Sequence, residues 1–205
     1  MEVLVIDNFE NPNSSEIHGL KSALEELGNR CEVRRFDEKF LSSQLDKFDA
    51  LVLSGSGTLL YRGPPKRYQS LIELVRTVST PILGICFGHQ LIGITFGSQV
   101  VHLGTKVEGF KPVRILETTS SAKKRNDLIF RSLPNKIYVW QSHFEIVETL
   151  PTGFEILASS GESTIEAMVN KKNFIYGIQF HAERYTTQYP DGQIILRNFF
   201  DLLKK

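Results

Sequence analysis

The chain is 205 residues long, 41% hydrophobic and 23% charged, and its 24 Lys and Arg against 23 Asp and Glu leave a net charge of +1. This balance is that of a soluble globular protein and lacks the basic excess or stripe of a dedicated nucleic-acid binder. The length suits one domain over residues 1–205, able to bury roughly 70% of its unfolded surface.

The opening "MEVLVID" has no basic n-region and only a brief apolar run, so neither a signal peptide nor a membrane span is indicated, and a cytoplasmic location is expected. "EVLVI" (2–6) and "DALVLS" (49–54) are short runs of branched apolar residues followed by polar or glycine-containing turns, which read as buried parallel strands. Between them Ile17, Leu20, Leu24 and Leu27 follow helical spacing, with Asn13 and Glu16 as a capping pair and Gly28 as a stop. Cys31 lies in "RCEVRRF", a further strand, where it reads as a packing residue. A helix pattern runs from about Lys66 to Val78, "TPILGI" gives another buried strand, and "HQLIGITF" continues as helix.

The second half changes character. "KPVRIL", "KIYVW", "FEILASS", "TIEAMV" and "FIYGIQF" are closely spaced strand-like segments, with "VNKKNF" as a hairpin turn between the last two. Lys123-Lys124-Arg125 reads as a solvated loop rather than a binding patch. The closing "GQIILRNFFDLLKK" is a helix that turns Ile194, Ile195, Phe199 and Leu202 inward. The expected fold is therefore α/β: a doubly wound, mostly parallel sheet with additional antiparallel strands in the second half and its ligand site at the carboxyl ends of the strands.

Three stretches carry chemistry. In "GICFG" (84–88) a cysteine sits between two glycines where an apolar strand turns into a helix, the form of a nucleophile elbow; the helix N-terminus would favour the Cys86 thiolate. In "GIQFHAE" (177–183) a strand ends in His181 and Glu183, a base and the acceptor that would fix its tautomer, able to meet if the strand persists. In "LVLSGSGT" (51–58) a glycine-rich turn follows a buried strand, and its N–H groups, with that of Phe87, could face a developing oxyanion. It lacks the Lys-Ser/Thr ending of a phosphate-binding P-loop. Two cysteines cannot build a disulfide framework or a four-cysteine metal site, and His102, His143 and His181 have no ligand spacing, while His18 and His89 are likewise unremarkable as ligands, so no metal is expected.

In that order, "GICFGHQ", "GIQFHAE" and the glycine loop resemble the site motifs of the class I (triad) glutamine amidotransferases, over nearly the whole chain. The resemblance implies a flavodoxin-like sheet and a Cys86–His181–Glu183 triad that forms a γ-glutamyl thioester from L-glutamine and releases ammonia. It further implies an oxyanion hole at Ser56, Gly57 and Phe87, and substrate contacts from Gln90 and from the backbone around Gly57, Ser142 and His143. Within the family, "VWQSHFE" (139–145), "LPTGFEILASS" (150–160), "EAM" (166–168) and "KVEGF" (106–110) are similar to the glutaminase part of GMP synthase, whereas the opening "VIDNF" looks more like the glutaminase chains of anthranilate and aminodeoxychorismate synthases. The similarity to GMP synthase implies that the partner is a separate synthetase, which would use ATP and Mg to aminate XMP, and no cofactor in this chain. No membrane or nucleic-acid partner is expected.

The sequence departs from the family pattern at three places: Ala182 stands where proline is usual, Glu145 where GMP synthases have Asp, and Ser56-Gly57 where Gly-Pro is usual. Ser56 has fewer backbone states than glycine, so the Ser54 to Thr58 loop is expected to rest in the wrong geometry until the partner docks. Alternatives at this stage are a different or orphan aminating partner, a stand-alone γ-glutamyl hydrolase, and a redox-sensing or chaperone-like protein with Cys86 as an oxidisable thiol.

Overall fold

The computed structural model of the protein describes residues 1–12, 14–38, 42–116 and 128–204. Strand β1 (Glu2–Asp7) alternates between two cores: Val3 and Val5 join one, Leu4 and Ile6 the other. β3 (Ala50–Leu53) divides in the same way, Ala50 and Val52 against Leu51 and Leu53. Strands apolar at every position need cover on both faces. α1 (Ser15–Glu25) and α5 (Asp191–Leu203) supply it on one side through Ile17, Leu20, Leu24, Ile195 and Phe199. The short α2 (Ser42–Leu45), α3 (Gln69–Thr77) and α4 (Phe87–Thr95) supply it on the other through Leu45, Leu71, Val75, Leu91 and Ile92.

The remaining strands are β2 (Arg30–Arg35), β4 (Ile82–Ile85), β5 (Val100–Ile115), β6 (Lys136–Val147), β7 (Glu155–Ser159), β8 (Ala167–Asn170) and β9 (Ile175–Ile178). All join one nine-stranded sheet in the order β2-β1-β3-β4-β9-β8-β7-β5-β6. The first five are mutually parallel and the rest antiparallel. With β9 as fifth member, the parallel part has the flavodoxin-like order, as the resemblance implied.

Several local expectations need correction. The cap of α1 is Ser14, whose Oγ accepts the Glu16 N–H at 3.2 Å; Asn13, like the basic run at 123–125, lies outside the described residues. Gly28 ends the helix region in the left-handed conformation, at φ 85°. Ile195 and Phe199 are buried in α5, while Ile194 and Leu202 pack only partly buried at the core's edge. The largest difference is the β5–β6 hairpin, which runs on through "KVEGF" and "QSHFE" with a register shift between His102 and Val107. β5 shows no apolar alternation because most of it is exposed or half-buried, so its length was hidden from a hydrophobic reading.

The turn from β4 into α4 decides where Cys86 lies. A Cβ on Gly84 would stand 2.6 Å from the Gly88 carbonyl carbon, and one on Gly88 would stand 2.5 Å from the Leu53 carbonyl oxygen. The two glycines therefore let the backbones of β3, β4 and α4 touch, and the residue between them is driven to φ 50° and ψ −102°. That region is sparsely populated for a residue with a side chain and costs on the order of 1–3 kcal/mol. Gly88→Ala is expected to destabilise by about 1–3 kcal/mol through overpacking, lowering Tm by roughly 2–12 °C for a chain of this size. Gly161→Ala, where a Cβ would meet nothing within 4 Å, serves as the control. Equal Tm values for the two variants in thermal unfolding would contradict the close-contact account.

Candidate active site

β4 and β9 are parallel neighbours with Ile85 opposite Ile178, so the segments leaving their carboxyl ends emerge side by side. One carries Cys86, the other His181. Both line a cavity of about 290 Å³ together with Ser56, Gly57, Gln90, Ser142 and His143. All seven were expected at the site from the sequence, and the fold brings them together there. Glu183 and Phe87 are not in the wall. Glu183 backs His181, and the Phe87 side chain packs on Tyr68 in the core at 4.9 Å between ring centroids.

His181 is fixed from two sides. Its N–H donates to the Trp140 carbonyl at 2.8 Å, an isolated bridge to β6, and its Nδ1 lies 2.7 Å from Glu183 Oε1. The strand does not persist through this pair, as the sequence reading supposed: residues Ala182–Arg184 form a turn of 3-10 helix, and that turn folds the carboxylate back onto the imidazole. Burial alone would lower the pKa of His181, but the Glu183 carboxylate and then Cys86 outweigh it and hold the pKa well above the usual histidine value. Cys86 Sγ lies 4.0 Å from the Ser142 carbonyl and 3.8 Å from Gln179 Nε2.

The wall opposite Cys86 is β6, whose buried face is apolar at Ile137 and Val139, polar at Gln141, His143 and Glu145, and apolar again at Val147. Glu145 accepts the backbone N–H groups of Leu60 at 2.8 Å and Tyr61 at 2.9 Å and so pins the glycine-rich loop to the sheet. The start of that loop is held by Asn8, which donates from Nδ2 to the Ser54 carbonyl at 2.9 Å. Gly55 sits directly under the base, since a Cβ there would stand 2.9 Å from His181 Cε1. Ser56 is not among the residues with positive φ, and its Oγ accepts the Thr58 N–H at 3.1 Å. The serine thus caps its own turn without entering the left-handed region that a glycine could use.

Gln90 donates from Nε2 to the Glu145 carbonyl at 2.8 Å and to Gln179 Oε1 at 3.3 Å, so the atom it has left for a ligand is Oε1. The sequence reading missed Gln179, which the structure buries directly after β9. It also missed Glu16, Lys106 and Arg184, charged residues that border the cavity, with Arg184 ion-paired to Glu16. The arrangement provides a thiol at a strained elbow, an imidazole kept protonatable by a carboxylate, and backbone N–H groups in an adjoining loop. These are the parts of nucleophilic acyl transfer. Among the described residues no group of three or more His, Cys, Asp or Glu is placed to hold a metal ion.

Glu145→Gln leaves only one carbonyl oxygen for two N–H donors. Loss of a charged acceptor is worth about 1.5–3 kcal/mol, so hydrogen exchange at the Leu60 and Tyr61 amides is expected to accelerate roughly 10- to 100-fold in the variant. Unchanged protection at both would show that the loop is not held by this carboxylate.

The profile of the family described as Glutamine amidotransferase class-I matches residues 4–203. The glutamine-hydrolyzing GMP synthase subunit of Archaeoglobus fulgidus is 33% identical over 205 residues, 100% of both chains. The glutamine-hydrolyzing GMP synthase of Pyrobaculum aerophilum is 32% identical over 200 residues, which are 97% of this chain and 36% of that protein. A Thermoplasma acidophilum protein, solved as a candidate GMP synthase subunit, superposes with a TM-score of 0.81 at 30% identity, covering 99% of this chain and 94% of that one. With a family match over residues 4–203 and a relative 33% identical along the whole of both chains, the chain belongs to the class-I glutamine amidotransferases.

Proposed function

We propose that the protein is the glutaminase subunit of a two-subunit GMP synthase, hydrolysing L-glutamine and passing ammonia to a separate synthetase that aminates XMP. The observation that carries the glutaminase half is the convergence of Cys86 with a His181 held by Glu183 at one cavity. The GMP half is supported by a relative, named as the glutamine-hydrolyzing GMP synthase subunit, that this chain matches end to end. In the Pyrobaculum relative the matched region is only 36% of the protein, which fits a division in which the rest of the synthesis lies outside a chain like this one.

In this reading Cys86 Sγ attacks the carboxamide carbon of glutamine. The N–H groups of Ser56, Gly57 and Phe87 stabilise the oxyanion, which is worth roughly 10² to 10³ in kcat per donor. His181 gives its proton to the leaving nitrogen, releasing ammonia and leaving the γ-glutamyl thioester. It then takes a proton from water, which attacks the thioester to free glutamate and restore the thiolate and imidazolium. Glu183 stays ionised throughout, orienting the ring through Nδ1. Gln90 and the backbone of Ser142 and His143 position the amino-acid end. This chain needs no cofactor for these steps; ATP and Mg belong to the synthetase. No helix among the described residues is long and apolar enough to cross a membrane; a cytoplasmic location is part of the reading proposed.

Cys86→Ala is expected to abolish glutamine hydrolysis while the synthetase still makes GMP from added ammonium. Cys31→Ser, whose thiol burial pushes up to about 11, leaves hydrolysis nearly unchanged. Glutaminase activity surviving in purified Cys86→Ala would remove Cys86 from the mechanism. GMP formation from glutamine, ATP and XMP only when both proteins are mixed supports the pairing, and its absence with a competent synthetase would reject it.

Glu183→Gln removes the charge behind His181. In a serine protease the comparable change costs about 10⁴ in kcat, and a smaller loss is expected with a thiol nucleophile. Full kcat/KM in this variant would end the role given to Glu183 while leaving the Cys86–His181 pair in place.

A further inference from the structure

A chain of buried polar groups runs behind the cavity and has no place in the steps above. Glu166, just before β8, is fully buried, and Gln141 nearly so. Gln141 donates from Nε2 to Glu166 Oε2 at 2.9 Å, and its Oε1 lies 3.0 Å from His143 Nε2. On the far side Ser160 Oγ donates to Glu166 Oε1 at 2.6 Å while accepting the N–H groups of Glu162 and Ser163 at 3.1 and 3.0 Å. His143 Nδ1 is buried without a side-chain hydrogen-bond partner, in a residue that borders the cavity.

The donor and acceptor rules leave this chain two consistent states. An ionised Glu166 can only accept, so Gln141 must turn its NH₂ toward it and its carbonyl toward His143. The His143 proton then sits on Nε2 and a lone pair on Nδ1. A protonated Glu166 can donate from Oε2, and the chain is again satisfied if the Gln141 amide is reversed. Its carbonyl now accepts from Glu166, its NH₂ donates to Nε2, and the ring proton moves to Nδ1.

We propose that the ionisation state of Glu166 sets the tautomer of His143 through the orientation of the Gln141 amide, so that a group outside the cavity decides whether His143, a residue at its border, carries a lone pair or an N–H at the buried Nδ1. Glu166 and Gln141 are positioning residues in this account. Burial raises the Glu166 pKa to about 7 against the hydrogen bonds from Ser160 and Gln141, which brings the change into the working range. Burial, helped by His181, lowers the His143 pKa to about 4, so the ring remains neutral while its tautomer changes. The other titratable groups acting on this chain are Glu162, which opposes ionisation of Glu166 and favours a charge on His143, and His89, which is buried and itself feels His143. The Glu145 backbone favours the charged His143 ring, against the larger effect of burial.

The tautomer exists whether or not the glutaminase reading holds, and its test uses no activity. The full chain labelled with ¹⁵N-histidine is followed by NMR from pH 5.5 to 9, the two ring nitrogens of His143 being assigned by loss of signal in His143→Gln. Wild type is expected to carry the proton on Nε2 at high pH and to convert to Nδ1–H around the Glu166 ionisation. Glu166→Gln, which keeps size and hydrogen bonding but cannot ionise, is expected to hold one tautomer at every pH. Gln141→Met, which breaks the relay while sparing Glu166, is expected to uncouple the two. A single wild-type tautomer across the range would overturn the proposal, as would the same pH-dependent conversion in Glu166→Gln. If Glu166→Gln fails to fold, conversion persisting in Gln141→Met would equally reject it.

Discussion

The backbone contact between Gly84 and Gly88 is the constraint on which the site depends. With no Cβ on either residue, α4 starts directly on top of β4 and against the Leu53 carbonyl, and there is no length of loop in which Cys86 could relax. Its φ of 50° follows from that closeness rather than from any preference of cysteine. The strain, on the order of 1–3 kcal/mol, is offset by what the approach allows: Phe87, Leu91 and Ile92 are buried to within a few per cent in the core beneath the sheet. Burying one such side chain contributes about 1.5–3 kcal/mol, so the helix has enough apolar surface to hold its first residue in an unfavourable conformation.

The rest of the site is aligned to that elbow by sheet register. β9 pairs with β4 so that His181 emerges beside Cys86, and the 3-10 turn after it returns Glu183 to the imidazole. Across the cavity, β6 keeps strict alternation but changes the chemistry of its inward face, placing Gln141, His143 and Glu145 where Ile137 and Val139 would otherwise continue the core. Each of these polar groups is given a task that a hydrophobic residue could not perform, as a clamp on a loop or a link in a hydrogen-bonded chain. Buried polar groups cost free energy unless they are partnered, and the partners found here are the loops and strands that must be kept in place. Two histidines face the same cavity with opposite electrostatics: the carboxylate beside His181 favours its charge, while burial and His181 keep His143 neutral.

Much of the fold was legible because its signals are local. Continuous apolar runs announced the central parallel strands, and the glycine pattern around Cys86 announced the elbow. His181 and Glu183 were found as a pair, though by way of a strand; the contact comes instead from the 3-10 turn at Ala182–Arg184, which His181 precedes and which folds the Glu183 carboxylate back onto it. The long β5 was not legible, since an exposed strand carries no hydrophobic period. Glu145, Gln179 and Glu166 were not recognised as parts of the site for a different reason. Their roles depend on partners 85, 93 and 25 positions away in sequence, respectively, and nothing in a single sequence marks a polar residue as one that will be buried. At Ser56 the structure has the ordinary backbone that a serine's restricted states call for.

The central claim is that the elbow presents Cys86, and not Cys31, as the nucleophile toward a glutamine held in the adjoining cavity. The most direct measurement is peptide mass spectrometry after incubation with a glutamine analogue carrying an electrophilic carbon in place of the carboxamide. The account predicts one adduct per chain, on the peptide containing Cys86, prevented by excess L-glutamine and absent in Gly88→Ala if that variant displaces the elbow. An unmodified Cys86, or modification of Cys31 at an equal rate, would contradict it.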